Sequence, residues 1–303
     1  MSPRHKQSRS GGQRSLLLPV LLIALLGVVA VALSYLAVTG TSAREHGGLP
    51  ERPAAIPTSV PEVTPTEAPP APPLSQDLLA LAGDVAMRSD GGSCAEPGSV
   101  EISLDGGREW GPEVSPAAAG ATQILRLLPL GRTHLEVVAL DEDCAPGLYR
   151  SVDRGATWTG PLPVEGTWFF NPADPETVGA PEGPQSLPCE GTGMSANGYH
   201  AIVTCRDGSP ALSVDRGLRW SRPDTGEVLA AATAGDAFIL AQAGDGTCRG
   251  IRLTTIDHVG TVLASDCHET GAPEGRIALA NSGESTLLWV GDELTTLALG
   301  GAA

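Results

Sequence analysis

Hydrophobic and polar positions divide the chain into three parts that predict three kinds of structure. Residues 16–38 are apolar almost without interruption, which is long enough to cross a bilayer as one helix. Residues 49–75 contain nine prolines, which indicates an extended spacer because proline cannot sustain helix or sheet hydrogen bonding. From residue 78 onward, short apolar runs alternate with clusters of Gly, Asp, Pro and Asn, and this pattern predicts an all-β domain. The clearest runs are residues 124–130, 135–140, 200–204, 237–241, 250–254 and 285–290.

The N-terminal flank predicts how the apolar run is oriented in a membrane. Four basic residues and no acidic residue precede the run, and this bias places the N-terminus in the cytoplasm. A cleaved signal peptide is the alternative, because residues 41–43 have the small side chains of a cleavage site. We therefore expect a single-pass protein of the cell membrane with an extracytoplasmic C-terminal domain. The predicted divisions are a cytoplasmic basic tail (1–15), a transmembrane helix (16–39), a Pro-rich linker (40–75) and the β-domain (76–303).

The charge balance argues against a nucleic-acid partner. The formal net charge of the chain is −16. The rest of the chain is more acidic than this value suggests, because the basic tail contributes positive charge, including Lys6, the only lysine. An acidic body of this kind repels phosphate backbones. The acidic surface is explained either by solubility or by recognition of a cationic partner.

One eight-residue phrase of the form Ser-x-Asp-x-Gly-x-x-Trp occurs three times and predicts three similar hairpins. In such a phrase the Asp carboxylate can fold back onto nearby backbone N–H groups, the Gly supplies a positive φ, and the Trp covers the turn. A degraded fourth copy contains Asp257 and Gly260. The recurring positions are Ser103, Asp105, Gly107 and Trp110, then Ser151, Asp153, Gly155 and Trp158, then Ser213, Asp215, Gly217 and Trp220.

The three phrases resemble the Asp box, or BNR repeat, of β-propellers such as sialidases, sortilin-type receptors and photosystem assembly factors. The resemblance implies that each phrase joins the last two strands of one blade and that its residues are structural. The spacing of the copies agrees with the length of a four-stranded blade. We expect about five such blades, with four and six as alternatives, and the longest insertion around residues 171–185.

The cysteines take a consistent place relative to the phrases. An even number of cysteines in an extracytoplasmic domain indicates disulfides. Many connectivities are open for six cysteines. The blade register implied by the resemblance favours pairing Cys189 with Cys205, Cys248 with Cys267, and Cys94 with Cys144. The competing hypothesis of a metal site has only one compact set of donors, at residues 266–268, so no metal and no cofactor is expected.

The resemblance also raises the hypothesis of a sialidase-like glycoside hydrolase. In that family an arginine cluster binds the sugar carboxylate, a tyrosine paired with a glutamate is the nucleophile, and an aspartate is the acid/base. The Arg-Ile-Pro motif of the family does not occur here. Tyr149 and Tyr199, the only tyrosines after the apolar run, are both predicted on the side of the Asp boxes, away from the family's active site. We therefore expect no catalytic residues and interpret the domain as a binding or assembly module for an unknown protein or glycan, with the hydrolase as the alternative.

Overall fold

The structure is a computed structural model, and it describes residues 78–270, 277–283 and 285–298. All of these residues belong to one compact unit, Thr66–Ala303. The predicted tail, transmembrane helix and linker lie outside the described residues. Within the described ranges no helix has the length and apolar character needed to span a membrane.

The described residues form twenty β-strands and one short 3-10 helix, Pro116–Ala119, so the predicted all-β class is confirmed. The strands are β1 Leu78–Ala82, β2 Val85–Ser89, β3 Glu101–Ser103, β4 Ile124–Pro129, β5 Leu135–Leu140, β6 Pro146–Ser151, β7 Thr159–Leu162, β8 Phe169–Phe170, β9 Thr177–Ala180, β10 Gly183–Ser186, β11 Gly191–Asn197, β12 His200–Cys205, β13 Pro210–Ser213, β14 Ala230–Ala234, β15 Ala237–Ala243, β16 Gly250–Ile256, β17 Val262–Glu269, β18 Ile277–Ser282, β19 Ser285–Val290 and β20 Glu293–Ala298.

These strands form six antiparallel sheets, and each sheet takes consecutive strands of the chain. Sheets 1 to 6 are β1–β3, β4–β7, β8–β10, β11–β13, β14–β17 and β18–β20. The first strands of neighbouring sheets contact one another in sequence, from β1 to β4, β8, β11, β14 and β18, and β18 contacts β1 again. Six radial meanders arranged in a closed ring are the architecture of a β-propeller, in which closure removes the exposed outer sheets of an open array.

The structure has six sheets, which is one of the alternatives that we gave to about five blades. The segment around residues 171–185, predicted as an insertion, contributes β9 and β10 to a sheet of its own. Only sheets 2 and 5 have four strands among the described residues. In sheets 1 and 4 the fourth strand is reduced to the single bridges Val100–Val114 and Leu212–Ser221, because the chain leaves the ladder soon after the hairpin.

The ring closes by packing between sheets 6 and 1, and within the described residues no strand of one end is inserted into the sheet of the other. Leu81 and Ala86 of sheet 1 are buried against Ala280 and Leu287 of sheet 6. The backbone N–H of the β1–β2 turn donates to Ser282 Oγ at 2.8 Å. Similar clusters lie between the other sheets, so the core is divided among the interfaces of the ring.

Candidate functional site

The three Ser-x-Asp-x-Gly-x-x-Trp hairpins, called box hairpins below, share one hydrogen-bond pattern. In the second copy the buried Ser151 Oγ donates to Asp153 Oδ1 at 2.8 Å and accepts from Gly155 N at 2.8 Å. The same carboxylate oxygen accepts from Thr157 N at 2.9 Å. The first and third copies repeat these bonds with distances of 2.7 to 3.1 Å. The serine and aspartate therefore satisfy the backbone donors of the turn.

The same bonds favour the ionised form of Asp105 and Asp153. Hydrogen bonds from the side chain and backbone of Thr157 lower the pKa of Asp153. A backbone hydrogen bond from Glu109, followed by a side-chain hydrogen bond from Ser103, lowers the pKa of Asp105. A carboxyl stabilised as an acceptor in this way is a poor proton donor at neutral pH, which agrees with a structural role.

Each box glycine lies against the preceding sheet of the ring. Gly155 has φ +81, and a Cβ there would be 2.7 Å from Val114 Cγ2 of sheet 1. Gly107 approaches Leu287 of sheet 6, and Gly217 approaches Trp168 beside sheet 3. The glycines are therefore required both by their left-handed backbone and by close contact between sheets. The box hairpins join each sheet to its neighbour.

The degraded fourth copy, between β16 and β17, retains only part of the pattern. Asp257 Oδ1 accepts from Val259 N at 3.0 Å and from Thr261 N at 2.8 Å. Gly260 has φ +90 and lies close to Pro223. The turn keeps the aspartate and the glycine, whereas Thr255 replaces the serine of the other copies.

The six cysteines form three disulfides, which confirms that the chain contains disulfide bonds. Cys94 is joined to Cys144, Cys189 to Cys205, and Cys248 to Cys267, with Cα–Cα distances of 6.0, 5.8 and 5.6 Å. These are the pairs that the blade register favours. The first bond connects the β2–β3 and β5–β6 loops and so links sheets 1 and 2 on the side opposite the box hairpins. Among the described residues no group of His, Cys, Asp and Glu is arranged to hold a metal ion.

One side of the ring, called the hairpin face below, carries the box hairpins together with the first turn of each sheet. Backbone bonds connect the two: Arg154 N donates to Thr133 O at 3.2 Å, and Arg216 N donates to Tyr199 O at 3.0 Å. Large exposed hydrophobic side chains concentrate on this face. Eight are present among the described residues, and all lie on or directly next to its hairpins and turns: Leu130, Val152, Tyr199, Val214, Leu218, Val259, Val262 and Leu263.

Two arginines of the hairpin face have an unusual backbone conformation. Arg154 and Arg216 both have φ 62 between the Asp and the Gly of their box, where the first box has Gly106. The side chain of Arg216 has partners, since it pairs with Glu182 and its guanidinium lies 4.3 Å above the Tyr199 ring. A left-handed backbone conformation costs energy in a residue other than glycine. Such a conformation favours a functional hypothesis where no contact within the chain compensates for the cost.

A central cavity of about 400 Å³ lies inside the ring of first strands. Its wall is formed mainly by leucines and alanines of β1, β4, β14 and β18 and by the hydroxyls of Ser195 and Thr233. The only charged residue among the described lining residues is Arg126 of β4. We did not predict this residue as a site residue, although a single arginine within the apolar run 124–130 was a signal in the sequence.

The two tyrosines lie away from this arginine. Tyr149 is fully buried in β6, and burial, with smaller contributions from Asp141 and Glu142, raises the pKa of its phenol. Tyr199 is 57% exposed on the hairpin face. Trp168 and Phe170, part of the aromatic cluster before β9, are buried between sheets, and Trp168 meets Trp220 edge-to-face at 6.3 Å. The described residues thus do not bring an arginine cluster and a tyrosine together.

The ring of sheets defines the class of protein as a β-propeller. No protein-family model and no curated protein sequence matches the chain. Similar solved structures include YCF48 from Cyanidioschyzon merolae, with 14% identity over 72% of this chain and 80% of that one and a TM-score of 0.40. Another is the Hadza microbial sialidase Hz136, with 14% identity over 70% of this chain and 49% of that one and a TM-score of 0.35. A third is the β-propeller domain of Cps50 (Swd1) from Myceliophteria thermophila, with 11% identity over 77% and 69% and a TM-score of 0.34. At these identities and TM-scores, the assignment to the β-propeller class rests on the strand pairing of the chain itself.

Proposed function

We propose that the chain is an Asp-box β-propeller, anchored in the cell membrane and facing outward, that binds or assembles with a protein partner through its hairpin face. The proposal depends on the one-sided distribution of exposed apolar side chains. All eight large ones among the described residues lie at the hairpin face, and three of them, Val152, Val214 and Leu218, lie on the box hairpins themselves. Apolar exposure confined to one face favours an interaction surface there.

The chemistry of this face favours a protein over a glycan. Tyrosine and arginine are residue types enriched at protein interfaces, and the leucines and valines beside them supply apolar contact area. A sugar ring would stack on an open aromatic ring, but the guanidinium of Arg216 lies 4.3 Å above Tyr199. A glycoside hydrolase of the sialidase type receives no support from the described residues, because Arg126 and the two tyrosines lie apart.

The membrane anchor is supported by the sequence. An apolar run of spanning length follows a basic tail, and a Pro-rich spacer separates the run from the propeller. Such a spacer holds a rigid domain away from the bilayer. Protease added to intact cells would remove the propeller if it faces outward and would leave it intact if it faces the cytoplasm.

A cross-linked pull-down from intact membranes tests the partner surface. Wild-type protein is compared with the double variant Val152→Asp/Leu218→Asp and with Ala145→Asp, which adds a single charge of the same sign at an exposed position on the opposite side of the ring. We expect a specific protein that is captured by wild type and by Ala145→Asp and is lost with the double variant. Equal capture by all three proteins, or no specific capture by wild type, would refute the proposal.

A further inference from the structure

Arg126 holds the central cavity together across three neighbouring sheets. Its Nη1 donates to the carbonyl oxygen of Trp168 at 2.7 Å, and its Nη2 donates to the carbonyl oxygen of Ala196 at 2.7 Å. Trp168 directly precedes β8, and Ala196 lies in β11. These two bonds use only part of the guanidinium, and its other N–H groups have no partner among the described residues.

The charge of this arginine is not balanced within the described part of the chain. None of the ion pairs there involves Arg126. Burial lowers its pKa to about 10, and no neighbouring carboxylate opposes that effect. The guanidinium is therefore charged at neutral pH. A neutral donor could satisfy these two carbonyl acceptors, so the hydrogen bonds alone do not account for a half-buried cation.

The wall of the cavity is suited to an anion with an apolar body. The chain has 35 acidic residues, yet none of the described residues that line the cavity is acidic. Partly exposed leucines such as Leu79 of β1 and Leu128 of β4 contribute apolar surface to this wall. A volume of about 400 Å³ is in the range of small-molecule sites. A single arginine matches one carboxylate, whereas a phosphate dianion would need further donors.

We propose that the central cavity binds a small amphiphilic carboxylate, whose oxygens accept hydrogen bonds from the remaining N–H groups of Arg126 and whose apolar chain lies against the leucines of β1 and β4. This site is separate from the hairpin face. The carboxylate of the ligand would balance the positive charge of Arg126, which no described residue of the ring balances.

Titration calorimetry on the purified full-length protein tests the site with three probes of the same chain length. We expect hexanoate to bind with one-to-one stoichiometry, 1-hexanol to bind roughly ten-fold more weakly, and hexylammonium not to bind. This comparison uses the wild-type protein and does not depend on any variant. Absence of hexanoate binding, or equal binding of hexanoate and 1-hexanol, would overturn the proposal.

Two variants locate the bound group. Arg126→Met keeps most of the side-chain volume but removes the charge, and we expect hexanoate affinity to fall by roughly ten-fold or more. Arg132→Met is the matched control, because Arg132 lies on the exposed β4–β5 turn, where it pairs with Asp84, and we expect no change in affinity. Unchanged hexanoate affinity in folded Arg126→Met would refute the assignment. This variant also removes the hydrogen-bond donors to two carbonyl oxygens, so thermal denaturation is used to check that it is folded. If it is not folded, the comparison of the three probes on the wild-type protein decides whether the proposal holds.

Discussion

Replacing Gly155 by alanine tests whether the box hairpins hold neighbouring sheets together. The backbone at Gly155 has φ +81, and a Cβ there would lie 2.7 Å from Val114 Cγ2 and 3.2 Å from Ile102 Cδ1. Gly106 has a similar φ of +76, but a Cβ there would meet nothing within 4 Å. The control substitution Gly106→Ala therefore has only the backbone cost, about 1 kcal/mol. Gly155→Ala adds the cost of overpacking, about 1–3 kcal/mol, for a total loss of about 2–4 kcal/mol.

Urea unfolding of the full-length protein with intact disulfides measures both losses. If the transition keeps its slope, the shift of the midpoint reports the change in the free energy of unfolding. We expect Gly155→Ala to be the more destabilising variant by at least about 1 kcal/mol. Equal losses in the two variants would show that the contact between Gly155 and sheet 1 contributes nothing, and the description of the box hairpins as joints between sheets would then be wrong.

Three further predictions concern single contacts. Hydrogen bonds from a neighbouring serine, with a smaller contribution from an arginine, lower the pKa of Asp207 to about 2. The stabilisation that ionised Asp207 gives the fold is complete above the unfolded pKa of about 3.9 and is lost as pH falls through the folded pKa. In Asp207→Asn we therefore expect Tm to fall less steeply as the pH is lowered, and an unchanged dependence of Tm on pH contradicts this. Arg154→Gly relieves left-handed backbone strain, and we expect it to raise the free energy of unfolding by up to about 1 kcal/mol. Arg216→Gly relieves the same strain but loses the ion pair with Glu182, so we expect its Tm to be lower than that of Arg154→Gly. The reverse order of Tm refutes the argument. Replacing the Cys94–Cys144 pair by serines, which opens a loop of 50 residues, costs about 4 kcal/mol, against about 3 kcal/mol for Cys189–Cys205 with 16; equal urea midpoints contradict the loop-entropy account.

The sequence predicts the parts of this fold that are local and misses the parts that depend on distant contacts. The box hairpins were predictable because Ser, Asp and Gly close their bonds within four residues, as at Ser151 and Gly155. Sheet 3 was predicted as an insertion, because β8 has only two residues and this sheet lacks a box hairpin. The partners of Arg126 are carbonyls 42 and 70 residues away in sequence, and no local pattern indicates such a contact.

Different positions of each box hairpin stabilise the turn and form the proposed binding surface. Ser, Asp and Gly face the turn and the preceding sheet, so their chemistry is fixed by backbone donors and by contacts such as the one between Gly155 and Val114. Three of the intervening positions, Val152, Val214 and Leu218, face solvent, with 59% exposure at Val152, and their side chains take no part in that network. Substitution there changes the surface without loosening the ring, because the hydrogen bonds of the turn remain. The apolar residues at these free positions are therefore best explained by what they contact outside the chain, which is the reason to place the partner on the hairpin face.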